Sequence, residues 1–268
     1  NMGTHLSIDE VALSQGELYT VVTNKEFKGK KGSLVAIVAG TKADKVIEHI
    51  RKIDSKKRSC VKEITLDMAN SMKLISKRCF PKATQVTDRF HVQKLALEAL
   101  QEIRIKHRWE AMDFENQLIL QAKRENQTYI PELLANGDSV KQLLARSRYV
   151  LYKSCEKWTE NQNERAQLLF GLYPDIKTAY YLSQQLRGIY NSNNDKHIAM
   201  TKLAHWYRNV EESGFKNFNI LLNTITFNYR SILNYFDNRS TNASAESFNA
   251  KIKAFRSQFR GVRKIDFF

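Results

Sequence analysis

The stretch Val61-Lys62-Glu63-Ile64-Thr65-Leu66-Asp67 decides the fold. It is too short for a helix and rich in β-branched and apolar residues, so it reads as a buried strand that ends on an aspartate. Helical periodicity bounds it on both sides. Upstream, Ala43, Val46, Ile47, Ile50 and Ile53 follow the 3.6-residue period, with Thr41 placed to cap them. Downstream, Met72, Ile75 and Cys79 form the next apolar stripe, Pro81 ends it, and Ala83 to Thr87 resumes an extended pattern up to Asp88-Arg89-Phe90-His91.

Towards the N-terminus, Leu6 to Leu13 and Leu18 to Thr23 are strand-like runs joined by Ser14-Gln15-Gly16-Glu17, a hairpin signal, and Ser33 to Ala39 reads as a third strand. Between the last two lies the basic loop Asn24 to Gly32, which reads equally as a solvated turn and as a phosphate contact. Three hairpin-linked strands followed by helix, strand, helix, strand predict one mixed five-stranded sheet flanked by helices, because each helix must carry the chain back across the sheet.

From Val92 the texture becomes all-helical, as in the stripe Val140, Leu143, Leu144, Ser147, Val150, Leu151 and in the run from Phe218 through Ile225 and Tyr229 to Phe236. Asn238 to Asn242 is a polar break. A last helix is expected over Ala245 to Phe259, with Ala245, Phe248, Ile252, Phe255 and Phe259 along its apolar side.

Composition narrows the partners. The 268 residues carry 43 Lys and Arg against 28 Asp and Glu, a net charge of +15, which excludes an acidic tail and favours a polyanion such as nucleic acid. No spanning segment and no signal peptide are legible, so the expectation is a cytoplasmic protein without a membrane partner. Three cysteines without a CxxC pair argue against a disulfide framework and against an evident structural zinc site. The start at Asn1-Met2 and the apolar end Ile265-Asp266-Phe267-Phe268 read as cut ends, so flanking segments are expected.

Three acids draw attention. Asp9 lies within the first strand and Asp67 ends the fourth; an ionised carboxylate in an apolar strand needs a partner, a hydrogen bond or a metal. Aspartates on neighbouring strands could share hard cations such as Mg²⁺ or Mn²⁺ at the strand ends, although a strand-end aspartate is more often a turn cap. Glu246 begins the last helix, with Asn249, Lys253, Arg256 and Arg260 on its own side. Between Ser247 and Ile265 there is no acid, and Lys251, Lys253, Arg256, Arg260, Arg263 and Lys264 are all there. Such a run suits either a solvated basic helix or phosphodiester chemistry, in which the acid completes a metal site and the bases hold the strand.

The order β-β-β-α-β-α-β with Asp9, Asp67 and Glu246 so placed resembles the ribonuclease-H-like core of DDE transposases. Leu66-Asp67-Met68, Asp88-Arg89-Phe90-His91-Val92 and Asn242 through Lys253 resemble the corresponding segments of bacterial insertion-sequence transposases of the ISL3 type. The resemblance implies a core over 1–98, an all-helical insertion over 99–238, and a return to the core over 239–268 that brings the last catalytic helix. It implies Asp9, Asp67 and Glu246 as catalytic, metal-holding acids with two Mg²⁺ or Mn²⁺ ions. It also implies cleavage at transposon ends, transfer of the freed 3′-hydroxyl into target DNA, and self-association on DNA. Asp88 and His91 are expected to support the site, and Asn249, Lys253, Arg256 and Arg260 to contact DNA. The alternatives are a ribonuclease-H-like nuclease without strand transfer and a non-catalytic nucleic-acid-binding relic. Glu10 should point to the opposite face of its strand from Asp9. Trp109, Trp158 and Trp206 read mainly as core, and His107, His197 and His205 lack metal-ligand partners at useful spacing.

Overall fold

The computed structural model describes residues 2–13, 16–192 and 195–259; Ser14 and Gln15 of the expected hairpin turn, and Arg260, Arg263 and Lys264 of the basic run, lie outside the described residues. The chain forms two compact units, Asn1–His91 with Thr224–Phe268, and Val92–Asn223.

The first unit is built on a five-stranded sheet in the order β3-β2-β1-β4-β5, from β1 (His5–Ala12), β2 (Leu18–Asn24), β3 (Leu34–Ala39), β4 (Glu63–Leu66) and β5 (Thr84–Thr87). The short connections make β2 antiparallel to both β1 and β3. Where a helix intervenes, the strands run parallel: β4 pairs β1 and β5 pairs β4. The crossovers are α1 (Ala43–Arg51) with a short α2 (Ser55–Ser59), and then α3 (Asn70–Cys79). Alternation along the strands sends Leu6, Ile8, Ile64 and Leu66 into one apolar core with Val46 and Ile50 of α1 and Met72, Ile75 and Cys79 of α3. Each such side chain contributes about 1.5–3 kcal/mol by leaving water. The opposite face presents buried Ser7, Thr23, Glu63 and Thr65. A strand apolar on one face and polar on the other expects a polar element above it.

That element arrives at the end of the chain. After α4 (Arg89–Arg124), α5 (Val140–Tyr152), α6 (Glu160–Leu172), α7 (Pro174–Asn191), α8 (Lys196–Ser213) and α9 (Lys216–Phe227), two short helices, α10 (Tyr229–Leu233) and α11 (Tyr235–Asn238), lead to α12 (Ala243–Gln258), which packs on β1 and β2. Sheet order, pairing and flanking helices are those of a ribonuclease-H-like fold.

The second unit is helical. Leu143, Leu144, Leu151, Leu169, Ile176, Leu186 and Trp206 are buried within it, and Trp206 donates its indole N–H to the Leu182 carbonyl at 2.8 Å. Capping boxes start α5 (Ser139 with Gln142) and α6 (Thr159 with Gln162), satisfying amide groups that a helix start leaves open. Asp138 gathers Arg146 and Arg165, which hold its carboxyl below the usual range despite its burial. Among the described residues no helix is long and apolar enough to cross a membrane.

Several local expectations change. Thr41 does not cap α1; the capping position is Lys42, without a side-chain cap bond. The polar α2 carried no apolar stripe and was not anticipated; Asp54 starts it by accepting from the Lys56 amide at 2.8 Å. The run Phe218–Phe236 spans three helices; Asn228 leaves helical geometry (φ −102°, ψ 8°) between the first two, and Asn234 separates the last two. At Asp88 the extended pattern passes directly into α4, whose start the Asp88 side chain holds by accepting the Phe90 amide. In α12 the buried residues are Ala245, Asn249 and Arg256, whereas Phe255 of the expected apolar side is half exposed.

Candidate active site

Strand register places the acids. β1 and β4 pair His5 with Glu63, Leu6 with Ile64 and Ser7 with Thr65, so continuing that offset sets Asp9 beside Asp67. β4 and β5 pair Thr65 with Val86 and Leu66 with Thr87, which sets Asp67 beside Asp88. Three aspartates thus lie in one line across three parallel strands, Asp67 and Asp88 just past the carboxyl ends of theirs. In-register residues of parallel strands share a face, here the polar one that Asp9 presents to α12. Ligands gather at the carboxyl ends of strands in open α/β sheets.

Each carboxylate has its own hold. Asp9 accepts the Glu10 amide on Oδ1 at 2.9 Å and the Asn249 side-chain amide on Oδ2 at 2.7 Å. Asp67, half-buried, accepts the Ala69 amide at 2.8 Å. Asp88 is buried and takes backbone N–H groups from Phe90 and Asn242, tying the start of α4 to the start of α12. Glu246 stands exposed in the first turn of α12, where the helix N-terminus favours its charge.

Mutual electrostatic effects link these groups. Burial pushes the Asp9 carboxyl above its ordinary value, and the charges of Asp67 and Asp88 push the same way against the Glu10 amide and His91. Burial likewise raises Asp88. Partial desolvation by its surroundings raises Glu246, exposed as it is, followed by the charges of Asp88 and Asp9, with His91 opposing. Glu10, on the other side of β1, is raised by burial and by Asp67 and Asp9. Opposite signs of charge would have lowered these values; a like-charged, partly desolvated group of acids is the physical signature of a site short of positive charge.

Hard oxygen donors with unneutralised charge suit Mg²⁺ or Mn²⁺ chemically. Among the described residues, no three His, Cys, Asp or Glu groups stand together as a ready-made metal-binding group. The donor chemistry fits a divalent ion, but the acids as they stand do not by themselves form its site.

The basic residues divide. Lys253 is exposed on the Glu246 side of α12 and open to a phosphate. Arg256 is not, contrary to expectation: its side chain is 2% exposed and forks onto Glu17 at 2.8 and 3.2 Å. Asn249 also departs from the expected DNA contact, being buried with its amide on Asp9. Arg260 lies outside the described residues. His91, half-buried in the first turn of α4, feels Asp9, Asp88 and Glu246.

Two features escaped the sequence reading. Lys25, from the basic loop, is drawn inward to donate to Thr65 at 2.7 Å and pair with Glu63 at 3.5 Å; its burial lowers its pKa. Glu63 in a strand interior was the available signal, since a buried acid demands a cation. The same loop touches α12 through Gly29, whose carbonyl accepts from Lys251 at 2.7 Å. Gly29 has φ +72°, and a Cβ there would sit 3.1 Å from the Ser244 carbonyl oxygen. Only glycine meets both conditions without strain.

Compared with known families, the chain matches the model for DDE transposases of the ISL3 type, described as a transposase, over residues 6–268. No curated protein matches it, and no solved structure does.

Proposed function

The chain belongs to the ISL3-type DDE transposase family, and from that premise we propose that Asp9, Asp67 and Glu246 are its catalytic acids. A transposase is an enzyme that acts on DNA. The observation that carries the finer reading is the line Asp9-Asp67-Asp88 beneath a helix whose first turn brings Glu246 into the same electrostatic cluster.

Asp9 and Asp67 would hold a pair of divalent ions and Glu246 would complete their ligands. Such ions, when bound, stabilise the attacking and leaving oxygens of an in-line phosphoryl displacement. Asn249 acts on Asp9 as a positioning residue, fixing one carboxylate oxygen with its amide. Asp88, engaged by backbone amides, anchors α12 instead of ligating. Lys253 contacts the DNA backbone and orients it towards Glu246. Because no three acids stand in ligating proximity among the described residues, closure of side chains or of α12 accompanies ion and DNA binding. Water attacks the phosphodiester and frees a 3′-hydroxyl; that hydroxyl then attacks a target phosphodiester, expelling a new 3′-oxygen. The helical unit is an insertion carried before the last catalytic helix, and two copies act together on paired ends.

The test is cleavage and joining of DNA carrying the element's ends, with Mg²⁺ or Mn²⁺. Asp67→Asn abolishes both while DNA binding persists. Cleavage retained in Asp67→Asn and lost in Asp88→Asn transfers the role to Asp88; cleavage without joining reduces the chain to a nuclease.

A further inference from the structure

A cavity in the first unit, of about 480 Å³, is lined by Lys73 of α3, Gln85 of β5 and the residues around the break between α9 and α10, among them Phe227, Asn228, Tyr229 and Arg230. Its size falls within the roughly 300–1,000 Å³ of small-ligand sites.

Its lining is unusual for a surface hollow. Phe227 is 72% exposed, and the Lys73 ammonium sits 4.3 Å from its ring centroid. Arg230 is exposed at the rim. Asn228 is 4% exposed; its Nδ2 donates to the Thr224 carbonyl at 2.7 Å, and its buried Oδ1 has no hydrogen-bond partner among the described residues. A lone exposed phenylalanine means little. An exposed ring, two cations and an orphaned buried amide oxygen in one hollow have a chemistry in common. A planar, hydrogen-bonding ligand on a phosphate backbone uses all of them: the ring stacks on the base, the cations meet phosphates, and the amide oxygen accepts from an exocyclic amine or ring N–H.

We propose that this cavity binds one unpaired nucleotide of a DNA strand, with Phe227 as the stacking platform, Lys73 and Arg230 on its phosphates, and Asn228 on the base edge. Lys73 stands in the first turn of α3, the helix that follows the strand leading to Asp67, and feels the Asp67 charge, so the subsite lies near that end of the acid line. The proposal rests on the catalytic reading above only for its role, namely to hold single-stranded DNA next to the cleaved bond.

Binding of the full chain to labelled oligothymidine and to a duplex of equal length, in EDTA, tests it. Phe227→Ala weakens oligothymidine binding roughly 5- to 150-fold, the range expected for loss of one base–aromatic stack, and leaves duplex affinity in place. Phe227→Trp restores it. Arg230→Ala, an independent variant, lowers the salt slope of single-strand binding by about 0.7. Because Phe227 faces solvent, its replacement leaves the core intact, and a thermal melt verifies this. Unchanged oligothymidine affinity in Phe227→Ala, or equal loss for single strand and duplex, overturns the proposal. If acid-dependent cleavage persists in that case, only the subsite falls. If Phe227 governs single-strand binding while cleavage ignores Asp67→Asn, only the catalytic reading falls.

Discussion

Replacing Asp9 by asparagine removes one negative charge from the acid line at almost constant shape. Because the Asp9 carboxyl titrates above its ordinary value, the folded site disfavours its charge once burial, hydrogen bonds and neighbours are summed. The two hydrogen bonds survive the change. The new Oδ1 still accepts from the Glu10 amide, and Asn249 turns its amide over so that its Oδ1, partnerless among the described residues, accepts from the new Nδ2. Exchanging charge-assisted hydrogen bonds for neutral ones costs about 1 kcal/mol, and relief of desolvation and of like-charge repulsion works against that cost. Asp9→Asn should therefore stabilise the metal-free protein at neutral pH, by an amount on the order of 1 kcal/mol, which moves the melting temperature by about 2–4 °C. The pH sense is fixed as well. With the folded pKa above the unfolded one, the contribution of Asp9 is fully present below the unfolded value and is lost as pH rises through the folded one. The parent's stability in EDTA thus declines over that window, and the variant's declines less. Urea unfolding in EDTA and in saturating Mg²⁺ reads both effects: Mg²⁺ stabilises the parent more than the variant. Destabilisation of Asp9→Asn in EDTA at neutral pH would refute the idea that these acids repel one another in the folded chain.

Three further outcomes follow from individual contacts. Arg256→Ala strands the buried Glu17 and lowers the melting temperature well below that of Arg256→Lys, while the salt dependence of DNA binding stays at the parent value; a reduced salt slope would return Arg256 to the DNA. Lys253→Ala leaves the melt unaltered and reduces the duplex-binding salt slope by about 0.9, measured by titration at several ionic strengths. Gly29→Ala forces a left-handed residue and crowds the Ser244 carbonyl, costing about 1–2 kcal/mol in denaturant unfolding and slowing DNA cleavage through displacement of α12; an unchanged midpoint would contradict the close approach.

The sheet was readable because its information is local. Ile64 and Leu66 alternating with Glu63 and Thr65, between two helical stripes, fixed β4 as a crossover strand, and the polar loops before β2 and β3 fixed the hairpins. Asp9 and Asp67 were readable for the same reason: apolar strand residues beside a carboxylate are visible in sequence. The face of α12 was not. Its aromatic stripe promised a buried Phe255, but the sheet face beneath it carries Ser7, Asp9 and Thr23, and the polar Asn249 and Arg256 answer Asp9 and Glu17 from more than two hundred residues away. No local pattern encodes such a pairing. The break at Asn228 and the burial of Lys25 depend on tertiary partners in the same way, and both residues border positions that the apolar period alone treats as ordinary.

Diffraction from crystals of the protein soaked in Mn²⁺, with anomalous maps locating the metal, tests the central claim most directly. The account predicts two manganese peaks about 3.5–4 Å apart, ligated by Asp9, Asp67 and Glu246, with Asp88 still bound to backbone amides. Manganese absent from this line of acids, or held by Asp88 with Glu246 turned away, would contradict it.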